Sequence, residues 1–352
     1  MSTNHQRKVL QCVAMLCCFI LGLTFSPIKS FAEAKTDQES KLIFATYIPV
    51  GYPQVYAGLK LFVDLVNESG KGVVNLDAYF GGTLLKGREL LPGLQAGTAD
   101  IIGIPGAYLL GSYPVLGIHM LPIWHSGYES MEKLKIGTQL AQMQNEILKK
   151  KNLFQLATSG LLPEFLFTRK KAIKKPSDIK GLKIRVAGKV EGKVIQALGA
   201  VPVTMPSAEV GQALQRGVVD GVLLTPVTAK GRGVHEYCKY VLVYPLTNMD
   251  TPIYMLHDKW EKLPEKVRQV LMEAAIAWEP KYIGGKDAIA NDDLCYVELI
   301  KFFKDKGLTA IYPSKNDSAA FLKATRPVME WWVKQVGMEF GKKALKNAGY
   351  EY

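Results

Sequence analysis

The segment 94-LQAGTAD-100 returns 120 residues further on as 214-LQRGVVD-220. In both copies a run with helical spacing ends on a glycine. An aspartate then opens an apolar stretch with strand character, 101-IIGIPGAY-108 in one and 221-GVLLTPVT-228 in the other. A glycine just past a helix supplies the left-handed backbone that turns the chain back toward a sheet. Helix-glycine-strand is common in α/β proteins, so a seven-residue match leaves chance open. Taken as a repeat, it predicts two lobes of similar construction.

The surrounding pattern agrees. Strand-like 42-LIFATYI-48 is followed by 54-QVYAGLKLFVDLVNESG-70, in which Val55, Leu59, Phe62, Val63 and Val66 recur at helical spacing up to Gly70, and then by 73-VVNLDAYF-80. This alternation predicts an α/β fold. The Pro92-Gly93 pair within 86-KGRELLPGLQAG-97 is expected to kink or interrupt a helix there.

At the N-terminus, Arg7 and Lys8 precede the apolar run 9-VLQCVAMLCCFILGLTF-25, and Ser30-Phe31-Ala32 has the small-x-small form of a cleavage site. This order predicts a secretory signal peptide over residues 1–32, a polar linker over 33–40 and a periplasmic protein; a membrane anchor is the alternative. Cutting after Ala32 leaves 320 of the 352 residues, more than one hydrophobic core usually holds. Arg7, Lys8 and Lys29 go with the removed stretch, which has no acidic residue, so the formal charge falls from +12 to +9. The remaining lysines are scattered among acidic residues without an aromatic-interleaved basic block, so no nucleic-acid partner is expected. Excess positive charge of this kind attracts anionic solutes or an anionic membrane surface by long-range steering.

Enzymatic constellations are missing. His119, His125, His235 and His257 have no metal-ligand spacing, and Cys238 and Cys295, the two cysteines beyond the signal, are 57 residues apart. Neither a serine elbow nor a phosphate loop is present. Cys238 lies in 237-YCKYVLVY-244, which reads as strand, and Asp292-Asp293 reads as a solvated helix face. No catalytic residue, cofactor or metal is expected. A binding protein needs only a cleft and a charge inside it.

In open α/β sheets ligands collect beyond the carboxyl ends of the strands. Those ends fall at Tyr47 to Tyr52, Pro105 to Tyr108, Val186 to Gly188 and Thr225 to Thr228. In 181-GLKIRVAG-188, Leu182, Ile184 and Val186 alternate with Lys183 and Arg185. Arg185 is therefore either on the wet face of a strand or at a ligand site.

The run 181-GLKIRVAG-188, followed by 198-LGAVPVTMPSAEVGQALQRGVVDG-221, resembles the signature of the solute-binding subunits of TRAP (tripartite ATP-independent periplasmic) transporters. So do 79-YFGGTLLKGRELLPGLQAGTADI-101, 121-LPIW-124 and 260-WEKLPEKVRQVLMEAA-275. The resemblance covers most of the chain after the signal. It implies a two-lobe, type II-like periplasmic binding protein whose chain crosses between lobes: lobe I from 41–163 plus 250–285, lobe II from 164–249 plus 286–352 with C-terminal helices. It implies an extracytoplasmic receptor, not an enzyme, that closes on an organic acid and delivers it to integral membrane TRAP subunits. The alternatives are a ligand-sensing module for a signalling partner and a periplasmic α/β enzyme.

The family's carboxylate-binding arginine falls on Arg185. A second arginine, present in relatives that bind hydroxylated sugar acids, falls on Phe165, and polar family positions fall on Pro105, Gly188 and Leu224. The implied pocket is thus less polar, with hydroxyls from Tyr47, Tyr52, Tyr108, Thr225 and Ser207, Ser207 also being a plausible helix N-cap. Phe165 is either part of this pocket or ordinary core. Such a pocket suits a monocarboxylate with an apolar or aromatic body.

Overall fold

In the computed structural model the described residues are 38–124, 126–283, 285 and 287–351. The predicted signal peptide and most of the linker lie outside them. No helix among the described residues is long and apolar enough to cross a membrane.

Eleven strands among these residues form two sheets. The first has the order β2-β1-β3-β10-β4, with β1 Ser40–Ala45, β2 Val74–Tyr79, β3 Ile101–Gly103, β4 Phe154–Ala157 and β10 Ile253–Met255. The second runs β11-β9-β5-β8-β6-β7, with β5 Leu162–Thr168, β6 Lys183–Val186, β7 Val201–Thr204, β8 Gly221–Leu224, β9 Tyr240–Met249 and β11 Thr309–Ile311. β1 begins on Ser40, the last residue of the predicted linker. The chain leaves the first sheet after β4, returns to it for β10 and goes back to the second for β11.

The sequence echo has a structural counterpart. β1 pairs in parallel with β2 and β3, and β6 pairs in parallel with β7 and β8. The helix Leu90–Gln95 stops before Gly97 at φ +77, and the helix Val210–Gln215 stops before Gly217 at φ +70, both in the left-handed region that glycine tolerates. The aspartates then do the same work. Asp100 exchanges bonds with Ile43 on β1, its carboxylate accepting the N–H at 2.7 Å and its own N–H reaching Ile43 O at 2.9 Å. Asp220 does likewise with Lys183 on β6, at 2.8 and 2.7 Å.

Pro92 causes no kink, because it sits in the first turn of the helix Leu90–Gln95, where its missing N–H has no intrahelical acceptor to lose. Gly93 is needed for packing: a Cβ there would lie 2.4 Å from the Leu85 side chain.

The helix Pro53–Ser69 covers the first sheet and buries Leu59, Phe62 and Val66. The helix Glu265–Tyr282 packs along it, with Trp278 Nε1 donating to Gly58 O at 2.6 Å. The C-terminal helices touch both halves. Pro327–Val336 lies on Lys189–Ala197 and sends Trp332 Nε1 to Pro114 O at 2.9 Å, while Met338–Asn347 packs on Gln139–Lys149.

Two local readings are corrected. The strand expected over 237–244 begins only at Tyr240, since the 3-10 turn Val234–Glu236 carries the chain up to Cys238, which is buried. Asp292 is not on a solvated face: its carboxylate accepts from Ser126 Oγ at 2.9 Å and from Gly127 N–H at 3.0 Å, closing the N-terminus of the helix Gly127–Leu134.

Candidate functional site

The carboxyl ends of β1, β3, β6 and β8 converge on one small cavity of about 40 Å³ between the two sheets. Tyr47, Tyr52, Pro105 and Tyr108 line it from the first half; Glu164, Arg185, Ser207, Leu224 and Thr225 line it from the second. Ile48, Val55, Leu162, Met249 and Ile283 supply apolar wall.

Arg185 sits on β6, only 1% exposed, which rules out the wet-face reading. Its Nε and Nη2 donate to Met205 O at 3.0 and 2.8 Å, and Nη1 donates to Leu223 O at 3.3 Å. A guanidinium carries five N–H donors, so one on each terminal nitrogen is without a partner among the described residues. That pair is a fork of the kind that takes a carboxylate bidentately. Lys183, two residues earlier, is exposed.

The two halves touch around the cavity. Tyr52 Oη donates to Ser207 Oγ at 3.2 Å, and Ser207 N–H donates to Tyr108 Oη at 3.0 Å. Tyr47 stacks on Tyr108 with ring centroids 5.4 Å apart and donates to its hydroxyl at 3.3 Å. Burial and the neighbouring Tyr108 hold the Tyr47 phenol well above its ordinary value, so it stays neutral. Arg232 lies over the Tyr52 ring at 4.4 Å. The molecule is closed.

Of the seven residues singled out from the sequence, six line this cavity and Phe165 does not. Phe165 is fully buried and packs edge-on against Tyr296 at 5.1 Å. Side chains alternate along a strand, and the β5–β9 pairing has a bulge between Glu164 and Leu166, so the cavity receives Glu164 in place of Phe165. Ser207 is not an N-cap: it is the first residue of a 3-10 turn whose cap position is Pro206, and its hydroxyl is taken by Tyr52. Thr225 is a true N-cap, accepting from Thr228 N–H at 3.2 Å. Gly188 does not line this cavity, and the Ala107 carbonyl occupies the space where its side chain would be.

Three buried acids escaped sequence reading. Glu164 accepts from Thr247 Oγ1 at 2.7 Å; burial, reinforced by Glu191, pushes it well above the usual carboxylate range. Glu191, in the third position of the helix Lys189–Ala197, is pushed up to about 7 by burial, against the pull of the backbone N–H groups of Glu191 and Gly188. Asp250 pairs with His119 Nδ1 and accepts Gly106 N–H at 2.9 Å, while His119 Nε2 meets Gln144 Oε1 at 3.1 Å. The one signal available was a lone acid in the apolar run 161-LLPEFLFT-168. No group of three or more potential metal ligands occurs among the described residues.

Residues 44–335 match the family model DctP, described as bacterial extracellular solute-binding protein, family 7. The chain belongs to this family. Family 7 proteins are solute receptors, not enzymes, and this chain is a receptor of the TRAP class. Similar relatives include the C4-dicarboxylate-binding periplasmic protein DctP of Rhodobacter capsulatus, 28% identical over 288 residues, covering 80% of this chain and 83% of the relative. The monocarboxylate 2-oxoacid-binding periplasmic protein of Nostoc sp. is 24% identical over 245 residues, 68% of this chain and 66% of the relative. Among solved structures, a Bordetella pertussis extracytoplasmic solute receptor binding pyroglutamic acid superposes with TM-score 0.75 at 21% identity, covering 88% of this chain and 99% of that one. A Ralstonia eutropha TRAP receptor with bound (S)-2-acetolactate gives 0.76 at 21% identity, with the same coverages. The two-lobe fold is therefore that of the family.

Proposed function

We propose that this receptor binds a monocarboxylate with an apolar or aromatic body in the cleft between lobe I, residues 41–163 plus 250–285, and lobe II, residues 164–249 plus 286–352. Arg185 holds the carboxylate from lobe II. Tyr47, Tyr52 and Tyr108 close over the rest from lobe I, and Ser207 and Thr225 offer hydroxyls from the opposite wall. The loaded receptor passes its cargo to the membrane subunits of a TRAP transporter. Export by the signal peptide, with cleavage after Ala32, places it in the periplasm.

The observation that carries this reading is the fork of Arg185: a buried cation with two N–H groups unpartnered among the described residues, in a wall whose apolar part includes Ile48, Val55, Leu162 and Met249. A buried guanidinium left without a counter-charge is unfavourable, and an incoming carboxylate relieves it. The names of the relatives agree with the class, since C4-dicarboxylates, 2-oxo acids, pyroglutamate and acetolactate are all carboxylates. A second arginine for hydroxylated sugar acids has no counterpart among the described residues of the cavity wall.

A thermal-shift screen tests it. A ligand that binds only the folded state raises the melting temperature by mass action. Compact monocarboxylates should raise it, and glucuronate should not. A shift with glucuronate alone would overturn the specificity, and a screen without any shifting acid would overturn the receptor reading.

A further inference from the structure

Glu164 is the second ionisable group of opposite kind in the cavity, and it is not paired with the first. It is 1% exposed on β5 and lines the same space as Arg185, yet no ion pair within 4 Å joins the two among the described residues. Its one hydrogen bond is from the Thr247 hydroxyl to Oε2, at 2.7 Å. No described residue bonds to Oε1.

The charges around it are unfavourable for a carboxylate. Glu191 faces it from the helix Lys189–Ala197, and Asp250, which bonds His119 Nδ1, from the segment after β9. β8 contributes no ionisable group, and Lys230, on the helix Pro226–Gly231, is turned onto the Phe302 ring at 4.8 Å. Across the cleft stand the phenols of Tyr47 and Tyr108. Arg185 is the lone favourable cation among the described residues of the cavity wall, and the ligand carboxylate is proposed to sit on its free N–H groups. When that anion arrives, a third negative neighbour is added and the arginine is claimed. A buried carboxyl in such surroundings takes a proton.

We propose that Glu164 is a specificity-determining residue that works as a neutral carboxyl: it donates an O–H bond to an acceptor oxygen on the ligand. The assignment of atoms follows from Thr247. Thr247 Oγ1 engages Oε2, which leaves Oε1 as the oxygen that can present a proton to the ligand. The ligand class narrows to acids with a carbonyl or hydroxyl oxygen near the carboxylate, as in 2-oxo acids and lactam acids. This rests on the proposed function, since it takes the carboxylate to be held by Arg185. The proton comes from solvent, so affinity falls as pH rises.

The test uses two probe pairs, pyruvate against propionate and 3-oxocyclopentanecarboxylate against cyclopentanecarboxylate. The members of each pair share a carboxylate and a similar carbon frame but differ in one carbonyl oxygen. The full receptor, Glu164→Gln and Glu164→Leu are titrated by calorimetry at about pH 6 and about pH 8. Wild type should prefer the carbonyl-bearing member by about tenfold or more. Glu164→Gln, whose amide still donates, should keep most of that preference but lose the pH dependence. Glu164→Leu should bind both members of a pair alike. Acids that bind wild type without discrimination, or a preference that survives in Glu164→Leu, would overturn the role of Glu164 and leave the receptor reading intact. If Glu164→Leu does not fold, equal pH dependence in wild type and Glu164→Gln overturns it. If no carboxylate binds wild type, the receptor reading fails and the inference with it.

Discussion

The carbonyl oxygen of Ala107 occupies the space beside Gly188, where an added Cβ would lie 2.5 Å from it. Ala107 belongs to the loop after β3 and Gly188 to the start of the helix Lys189–Ala197, so the contact exists only between the two lobes. Gly231 repeats it, with Gly51 O at 2.7 Å and the Tyr52 ring at 2.4 Å from an added Cβ. Gly188 has φ −146, which any residue adopts, so alanine there is opposed by closure and not by its own backbone. Gly188→Ala and Gly231→Ala should fold like wild type but close poorly. Overpacking of about 1–3 kcal/mol corresponds to roughly 5- to 150-fold weaker binding. Small-angle scattering at saturating acid should show a larger radius of gyration than wild type; identical compaction would mean that the contact yields.

Arg185→Ala should weaken acid binding by roughly 30-fold to several thousand-fold, because truncating one partner of a buried charge pair costs about 2 to 5 kcal/mol. It should also lower the melting temperature, since Met205 O and Leu223 O lose their donors. Arg185→Lys retains charge without the fork and should bind worse than wild type. Lys183→Ala, at an exposed position of the same strand, should titrate like wild type in calorimetry. Wild-type affinity in all three would remove Arg185 from the site.

Tyr52 and Ser207 form a latch from opposite lobes. Tyr52→Phe and Ser207→Ala should each weaken binding by about 2- to 12-fold, the range of one neutral hydrogen bond. In a double-mutant cycle the pair should do no more harm than the worse single change. Additive losses would mean that the two hydroxyls act separately.

Stability should fall as pH rises through the weakly acid range. Burial pushes Glu191 up to about 7, and pushes Glu279 up to about 7 against the opposing pull of backbone N–H groups from Thr158 and Ile136. Both titrate near 4.5 when unperturbed. Between those values the folded chain holds protons that the unfolded chain has released. The stability these groups contribute is therefore complete below about pH 4.5 and gone above about pH 7, at most about 3 kcal/mol each. Melting temperatures from about pH 5 to about pH 7.5 should decline more steeply for wild type than for Glu191→Gln. Parallel curves would show that Glu191 does not titrate in this window.

Features set by neighbouring residues were readable in the sequence, and those set by distant ones were not. The glycines at 97 and 217 follow from helix-ending chemistry, and Arg185 from strand alternation with the rule for strand ends. Glu164 and Phe165 are adjacent in a run buried on both sides, so alternation could not say which faces the cavity; a bulge against β9 decides it. Ser207 has the composition of an N-cap, yet its hydroxyl goes to Tyr52, 155 residues away in the chain. The Asp250–His119 pair spans 131 residues and leaves no local trace.

The strand exchange between the sheets has a consequence for how the molecule is made. β10 is an inner strand, joining β3 to β4, yet it comes after every strand of the other sheet except β11. A growing polypeptide that has not reached Met255 holds β1 to β3 and β4 as separate fragments, with apolar edges unpaired. The first sheet cannot close until Met255 has been made, and the last joint, β11 on β9, waits for Ile311. The order of strands thus keeps the chain loose until it is almost entirely made, which is the condition in which a polypeptide can be threaded through a narrow translocation channel.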